Sequence, residues 1–464
     1  MQELEREFEK RLTEFLRKQN LDIKYKIISQ PQLHSYVARG RDLSRNNPDF
    51  LITKGGYPFM VVEITGGNRP LREWLSRYRL SVSDMQALGI DYFVVTDLQK
   101  YIVVEGGNGE YLESDDFESF FDAFDEVDQP EIDRHEKQIM KIIRETVEQQ
   151  YARYEEGSID QKLRLLELLS ADNYQKKISY NQEGRFFHFS TNAETGLQDF
   201  ENLFFQSLLE EVQDQAVCRY TSMDTLFHTL RGKSFRMGSH LAMNDRGEMD
   251  YVDKYLGAYY KPITSMTLAE MKQMNSSFIS SCTERSNEDD LTMYRLYGDD
   301  SKGVCLRFAV TNSIQSKYML IRKISYGTSR NFHFELELIK AITASISSSL
   351  FVRFKFLYLD VWKHFFKSFD YKMEQEVRLL YVDNQILEPK ERGWVIAHPD
   401  RIISKYVMFE LGEYKFPLKL EKIILGPNLP ERTLNQKQLE VLLDENQISG
   451  VQVTISEIES YRKS

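Results

Sequence analysis

Cysteine is scarce in this chain: Cys218, Cys282 and Cys305 are the only three among 464 residues. They stand apart without CxxC spacing, and the eight histidines form no HxxxH or HxH pair. A disulfide framework and a zinc site are therefore both disfavoured. No GxGxxG or GxxxxGKS/T loop occurs, which argues against Rossmann and ATP-dependent chemistry. No apolar run approaches a membrane span, and the opening MQELEREFEKRL reads as an amphipathic charged helix rather than a signal peptide. A cytoplasmic protein without a membrane partner is expected. Positive charge is also in deficit: the formal net charge of −11 argues against a general nucleic-acid coat, though not against a local basic groove. No internal repeat or low-complexity tract interrupts the chain.

What is present is the composition of a folded globular protein, 41% hydrophobic and 28% charged. The length exceeds what one core serves, so two or three domains are expected. The first segment reads as a helix, the strand KYKIIS, the strands FLIT and FMVVEIT joined by the turn KGGYP, a helix near 70–88 closed by Gly89, and the strand pair DYFVVTD and KYIVVEG. Residues 1–110 thus make an α/β unit. Residues 111–215 are acidic and then periodic, and they are predicted to be mainly a helical connector. Residues 216–464 alternate strands with helices of different lengths, including one long helix over 333–368, and are predicted to be a mixed α+β domain. The fold class is α+β multidomain.

Two constellations carry chemistry. In NPDFLITKGGYPFMVVEIT, Asp49 heads one strand and Glu63 lies inside the next. In KMEQEVRLLYV, residues 372–382, Glu374, Glu376 and Arg378 alternate with Val377 and Leu379, so a strand there would place the charges on one face and the apolar residues on the other. Each has a plainer reading. Asp49 can cap a turn beside a half-buried Glu63, and alternating charges on a strand are commonly a solvated edge worth only about 0.2–1 kcal/mol per pair.

The first constellation resembles the PD-(D/E)xK, restriction-endonuclease-like superfamily, and more narrowly the amino-terminal domain of type I restriction subunits. The resemblance implies that Asp49 and Glu63 would hold Mg²⁺. The position of the family lysine is Thr65 here, with Lys54 or Lys100 as substitutes and Gln86 at a matching helix position. It is accordingly expected to be a degenerate nuclease-like domain that senses or binds nucleic acid.

The second half resembles the bacterial family known as domain of unknown function 2971, in RYTSMDTLFHTLRGKSFRMGSHLAMNDRGEM, SCTERSNEDDLTMYRLYGDDSKGVCLRF, KSFDYKMEQEVRLLY and IILGPN. More distantly the same order is similar to the ADP-ribosyltransferase fold. That resemblance implies NAD⁺ as substrate, with Arg219, Glu374 and Glu376 catalytic. Tyr220, Thr221, Asn244, Ser281, Thr283, Tyr294 and Tyr297 are then implied in binding it. Asn244 and Asp245 before Gly247 also make an ordinary turn signal. An aromatic residue expected near Met293 is absent, whereas Tyr371 is kept, so the nicotinamide-stacking group stays open among Tyr220, Tyr294 and Tyr297.

Together these resemblances imply a toxin-like effector in antiviral (phage) defence, transferring ADP-ribose from NAD⁺ to a nucleic acid or protein, with a phage component or an antitoxin as partner. The alternatives are a Mg²⁺-dependent nuclease led by Asp49 and Glu63, and a non-catalytic nucleic-acid-binding regulator.

Overall fold

The structure, a computed structural model, describes residues 2–30, 48–66, 70–73, 85, 88–105, 111–116, 129–171, 177–182, 184–191, 198–212, 216–239, 246–257, 267–268, 271–272, 275–311, 319–383, 389–397, 402–411 and 416–459. It is a mixed α+β chain in two compact units. One comprises residues 1–146, 176–189 and 342–355, and the other residues 147–175, 190–341 and 356–464. Residues 111–215, expected as a connector, are divided between the two. Within their helices Ile139, Ile143, Val147 and Leu165 are wholly buried. Among the described residues no helix is long and apolar enough to cross a membrane.

The first unit is built on a six-stranded sheet in chain order: β1 (Tyr25–Ser29), β2 (Phe50–Lys54), β3 (Tyr57–Ile64), β4 (Tyr92–Thr96), β5 (Tyr101–Glu105) and β6 (Tyr111–Ser114). Only β3 and β4 run parallel. Its strands read as unbroken apolar runs because both faces are covered. Phe50, Ile52, Met60, Val62, Val94 and Val103 pack with Phe8, Leu12, Phe15 and Leu16 of the helix Gln2–Lys18. Leu51, Val61, Phe93, Val95, Ile102 and Val104 pack with Leu71, Met85 and Leu88. The β2–β3 turn needs Gly55 and Gly56, at φ +58° and +85°, a region closed to most side chains. A hairpin of β7 (Ile178–Asn181) and β8 (Phe186–Phe189) completes the unit. Most of the helix expected near 70–88, Gln86 included, lies outside the described residues.

The long helix expected over 333–368 is instead a helix Phe334–Leu350 that stops before Phe351, at φ +55°. Beyond it the backbone leaves its helical partners for β8: Phe187 N–H donates to the Arg353 carbonyl and Lys355 N–H to the Phe187 carbonyl. Two strand-type hydrogen bonds there replace the helical ladder.

The second unit holds a ten-stranded sheet. Its strands are β9 (Ala216–Thr221), β10 (Ser234–Ser239), β11 (Ser277–Glu284), β12 (Val304–Val310), β13 (Met319–Lys323), β16 (Glu376–Val382), β17 (Glu391–Ala397), β18 (Ile402–Glu410), β19 (Leu418–Leu425) and β20 (Gln452–Ile455). A separate parallel pair joins β14 (Ser325–Tyr326) to β15 (Phe366–Lys367). The main path runs β17-β18-β10-β11-β9-β12-β19-β20, and β16 pairs with both β11 and β13.

At β11 the sheet divides. One register, Ser277–Thr283, is taken by β16. The other is shared: Phe278 and Ile279 pair with β10, whereas Thr283 and Glu284 pair with β9. Ser280, Ser281 and Cys282 lie between those two registers. The core beneath draws Val217, Phe235, Met237, Leu306, Val377, Leu379, Tyr381 and Val407 from these strands, with Leu226 and Leu230 from the helix Met223–Gly232. That helix is capped by Ser222, whose hydroxyl accepts Thr225 N–H. Gly232 was the expected terminator, but the left-handed residue is Lys233, at φ +47°.

Candidate functional site

Where β10 and β9 part on β11, the second unit contains a cavity of about 460 Å³, within the range typical of small-molecule sites. Its lining brings together Arg219 and Tyr220 of β9, Arg236 and Gly238 of β10, Ile279–Thr283 of β11, Glu376 and Arg378 of β16, Lys405 and Tyr406 of β18, and Tyr297, Lys367, Tyr371 and Glu374. Residues from both ends of the half-chain therefore meet at one place.

The acidic wall is a closed ion network. Glu376 Oε1 lies 2.6 Å from Arg378 Nε, and Oε2 lies 3.0 Å from the second guanidinium nitrogen of Arg378. Lys367 Nζ stands 2.8 Å from both Glu376 Oε2 and Glu374 Oε2. Arg378 also donates to the His364 carbonyl, and Tyr297 OH donates to Glu374 Oε1 at 2.6 Å. Burial by itself raises the Glu376 carboxyl, but Arg378, Lys367 and a hydrogen bond from Ser281 bring it below the usual range. Glu376 is thus a fixed carboxylate. Burial, then Glu374, raises the Tyr297 phenol, which keeps its proton and remains a donor.

The pairs Ser281↔Arg378 and Thr283↔Glu376 place both β11 hydroxyls against β16. Thr283 Oγ1 donates to the Glu374 carbonyl at 2.6 Å. Glu374 was expected one pleat before Glu376 on the strand. It belongs instead to the 3₁₀ turn Phe369–Glu374, and Gln375, at φ +43°, separates it from β16. The left-handed residue reverses the chain so that both carboxylates still reach Lys367.

The opposite wall is cationic and open. The Arg219 guanidinium lies 4.6 Å from the Phe235 ring centroid. No carboxylate pairs with it among the described residues. Burial, with Arg236 adding repulsion, lowers its pKa. Arg236 is exposed, and Lys405 Nζ lies 5.4 Å from the Trp394 ring. The lining carries five cations against two carboxylates, an excess that favours an anionic ligand. Ser280 Oγ, buried against the same space, has no hydrogen-bond partner among the described residues.

Not every expected residue reaches the cavity. Tyr294 is fully buried and donates to the Ile424 carbonyl at 3.2 Å. Thr221 is half-buried and is not part of the lining. Tyr220 lines it, but its hydroxyl is engaged with the Asn287 carbonyl and the Asp290 amide. Tyr297 and Tyr371 both line it and are accessible. Asn244 lies outside the described residues. Sequence reasoning noted Tyr371 only as a kept aromatic residue, and it missed Lys367, Arg236 and Lys405 as lining groups. Of these, Lys367 had the clearest signal, a cation seven positions before Glu374.

In the first unit, Asp49 and Glu63 lie on the Leu51 and Val61 face of the sheet. Asp49 Oδ2 accepts Ile64 N–H at 2.7 Å. Burial raises Asp49, and burial together with Asp49 pushes Glu63 up to about 8. Thr65 Oγ1 is buried without a hydrogen-bond partner among the described residues. Lys100 is exposed, and Lys54 stacks over Tyr25 and Phe59. Among the described residues no group of three or more His, Cys, Asp or Glu side chains gathers to hold a metal.

No family model, no curated protein and no solved structure matches this chain.

Proposed function

We propose that residues 216–464 form an ADP-ribosyltransferase-like domain, a toxin-like effector that transfers ADP-ribose from NAD⁺ to a macromolecular acceptor. The observation that carries this reading is that Arg219 and Glu376, distant in sequence, line one cavity. Arg219 would pair its unengaged guanidinium with the pyrophosphate. The ion-paired carboxylate of Glu376 would stabilise positive charge growing on the ribose. Tyr297 and Tyr371 line the same cavity, and one of these rings would stack on nicotinamide. The glycosidic C–N bond breaks with its electron pair leaving on nicotinamide, an acceptor oxygen or nitrogen bonds to the anomeric carbon, and its proton passes to Glu374.

Labelled NAD⁺ incubated with the protein and with RNA, DNA or lysate tests this directly. Label should enter a macromolecule, and Glu376→Gln should reduce the rate about 10²–10⁴-fold. Expression should slow growth, and the same substitution should relieve it. Equal labelling by Glu376→Gln would remove the assigned role. Absence of NAD⁺ consumption would favour the non-catalytic regulator.

For residues 1–110 we propose a degenerate restriction-endonuclease-like domain retained to sense nucleic acid. Asp49 and Glu63 are a donor pair that fits Mg²⁺, since a cation would offset the burial and, after it, the repulsion from Asp49 that raise Glu63. The ion would neutralise phosphate and acidify a bound water, but Thr65 supplies no positive charge to assist. DNA cleavage with Mg²⁺ that vanishes in Asp49→Ala would instead make this unit a nuclease. The role in antiviral defence, with a phage component or antitoxin as partner, rests on analogy with fusions of this kind.

A further inference from the structure

The break in the ladder along β11 exposes main-chain groups of known direction. Glu284 N–H donates to the Gln375 carbonyl at 2.9 Å, and Asp383 N–H donates to the Ser276 carbonyl at 2.7 Å. In an antiparallel pair such exchanges fall on alternate residues. The even-numbered residues of β11 therefore turn their main-chain groups toward β16, and the odd-numbered ones turn theirs to the other edge. On that edge Ile279 meets Gly238 of β10, and Thr283 meets Cys218 of β9. Ser281 stands between them with no strand registered opposite. Its N–H and carbonyl face the break, and Ser281 lines the cavity.

Two side chains reach the same place from one face of the sheet. Phe278 and Cys282 belong to the core of this unit, so Ser280, two positions from each, points to the same side. Leu306, the register partner of Arg219, is part of that core, and the Arg219 guanidinium lies over Phe235, another member of it. Arg219 and Ser280 thus share a face, and both line the cavity. Ser280 is 6% exposed, and its hydroxyl has no hydrogen-bond partner among the described residues. A buried hydroxyl without a partner and a guanidinium without an anion are both held at a cost. One oxyanion would satisfy the two together.

We propose that Arg219, the Ser280 hydroxyl and the Ser281 N–H form a subsite for the phosphate of a sugar phosphate. All three are donors, and the guanidinium supplies the charge. The Ser281 carbonyl would repel a bare phosphate but accepts a hydroxyl of the attached sugar. Naming that sugar phosphate as the ADP-ribose part of NAD⁺ rests on the transferase reading, whereas the subsite rests on the broken ladder and its two unpartnered side chains.

The test titrates the full chain, without NAD⁺, with ribose 5-phosphate, inorganic phosphate and ribose, and follows thermal unfolding of each variant. Ribose 5-phosphate should bind more tightly than either of the others. Ser280→Ala should weaken its binding about tenfold, as the loss of one hydrogen bond to a charged group does. The melting temperature of that variant should match or exceed that of the parent, because the free protein then lacks an unpaired buried hydroxyl. A hydroxyl that served the fold would lower both readouts. Ser280→Cys, a weak donor of similar size, should fall between. Unchanged affinity in Ser280→Ala overturns the proposal, and so does weakened affinity with a lowered melting temperature. A parent that binds ribose 5-phosphate no more tightly than inorganic phosphate, or not at all, overturns it as well. Ribose 5-phosphate binding that Ser280→Ala weakens, in a protein that consumes no NAD⁺, supports the subsite and removes the transferase. NAD⁺ turnover at limiting NAD⁺ that Ser280→Ala leaves unaltered overturns the subsite and keeps the transferase.

Discussion

Lys367 Nζ stands 2.8 Å from Glu376 Oε2, and both side chains are almost wholly buried, at 3% and 5% exposure. The pair makes sense only within its network, where Lys367 and Arg378 balance Glu374 and Glu376. Buried ions tolerate their desolvation when every charge has a partner. The network therefore fixes the acidic wall of the cavity whatever reaction takes place there.

Lys367→Met leaves Glu374 and Glu376 with Arg378 as the remaining cation of the network. Breaking a buried pair from one side costs about 3–5 kcal/mol, to be read by urea unfolding at neutral pH. A loss under about 1 kcal/mol would mean that the ion pair is not formed. Glu376 has a depressed folded-state pKa, so its contribution is present above the ordinary 4.5 and is lost as pH falls through the folded value. Acid unfolding should accordingly be shallower in Lys367→Met than in the parent.

Glu201 should give the opposite pH slope. It is fully buried, and burial pushes its carboxyl up to about 8, although the Tyr358 amide donates to it at 2.7 Å. The folded protein keeps a proton that the unfolded chain releases above 4.5. Stability should therefore fall as pH rises from 4.5 to about 8 and level off beyond. Glu201→Gln keeps an acceptor for the amide and carries no charge, so its melting temperature should exceed that of the parent at pH near 9. An unchanged pH profile would place the ionisation elsewhere.

Gly303 precedes β12, and a methyl group there would collide with the Thr221 carbonyl oxygen and the Gly298 backbone. Backbone atoms cannot swing aside as a flexible side chain does. Gly303→Ala should cost about 1–3 kcal/mol, as overpacking does. Since Thr221 ends the strand that carries Arg219 and Tyr220, ligand affinity should fall as well. Wild-type unfolding and affinity in this variant would show that the two strands are less closely apposed.

Much of this was legible because strands announce themselves by local pattern. The alternation in EVRLLYV places Val377 and Leu379 in the core and Glu376 and Arg378 at the cavity, as its period of two requires. The apolar runs FMVVEI and YFVVT became central strands covered on both faces. The division of the sheet at β11 was not legible. Nothing in SSCTE says that β10 will pair with Ile279 and β9 with Thr283. That non-local choice creates the cavity and recruits Lys367, Arg236 and Lys405. The helix stop at Phe351 escaped for the same reason, since its competing hydrogen bonds come from Phe187.

Arg219 and Arg378 line the same cavity but should respond oppositely to substitution. Arg378 is 1% exposed and locked to Glu376 and the His364 carbonyl, so Arg378→Met strands a carboxylate and should destabilise the fold by about 3–5 kcal/mol. Arg219 is half-buried, with an aromatic ring as its contact, and burial lowers its pKa, a sign that its charge is held at a cost. Arg219→Met should therefore leave stability within about 1 kcal/mol of the parent or raise it. Its effect should fall on ligand binding: losing a charge-assisted hydrogen bond of about 1.5–3 kcal/mol weakens ADP-ribose binding by about 10- to 150-fold. Arg219→Lys should fall between, because an ammonium keeps the charge but loses the fork that spans two phosphate oxygens. Calorimetric titration with ADP-ribose, paired with thermal unfolding of each variant, separates the two arginines. Equal destabilisation by both substitutions with no change in affinity would make Arg219 a structural residue and leave the cavity without its anion-binding group.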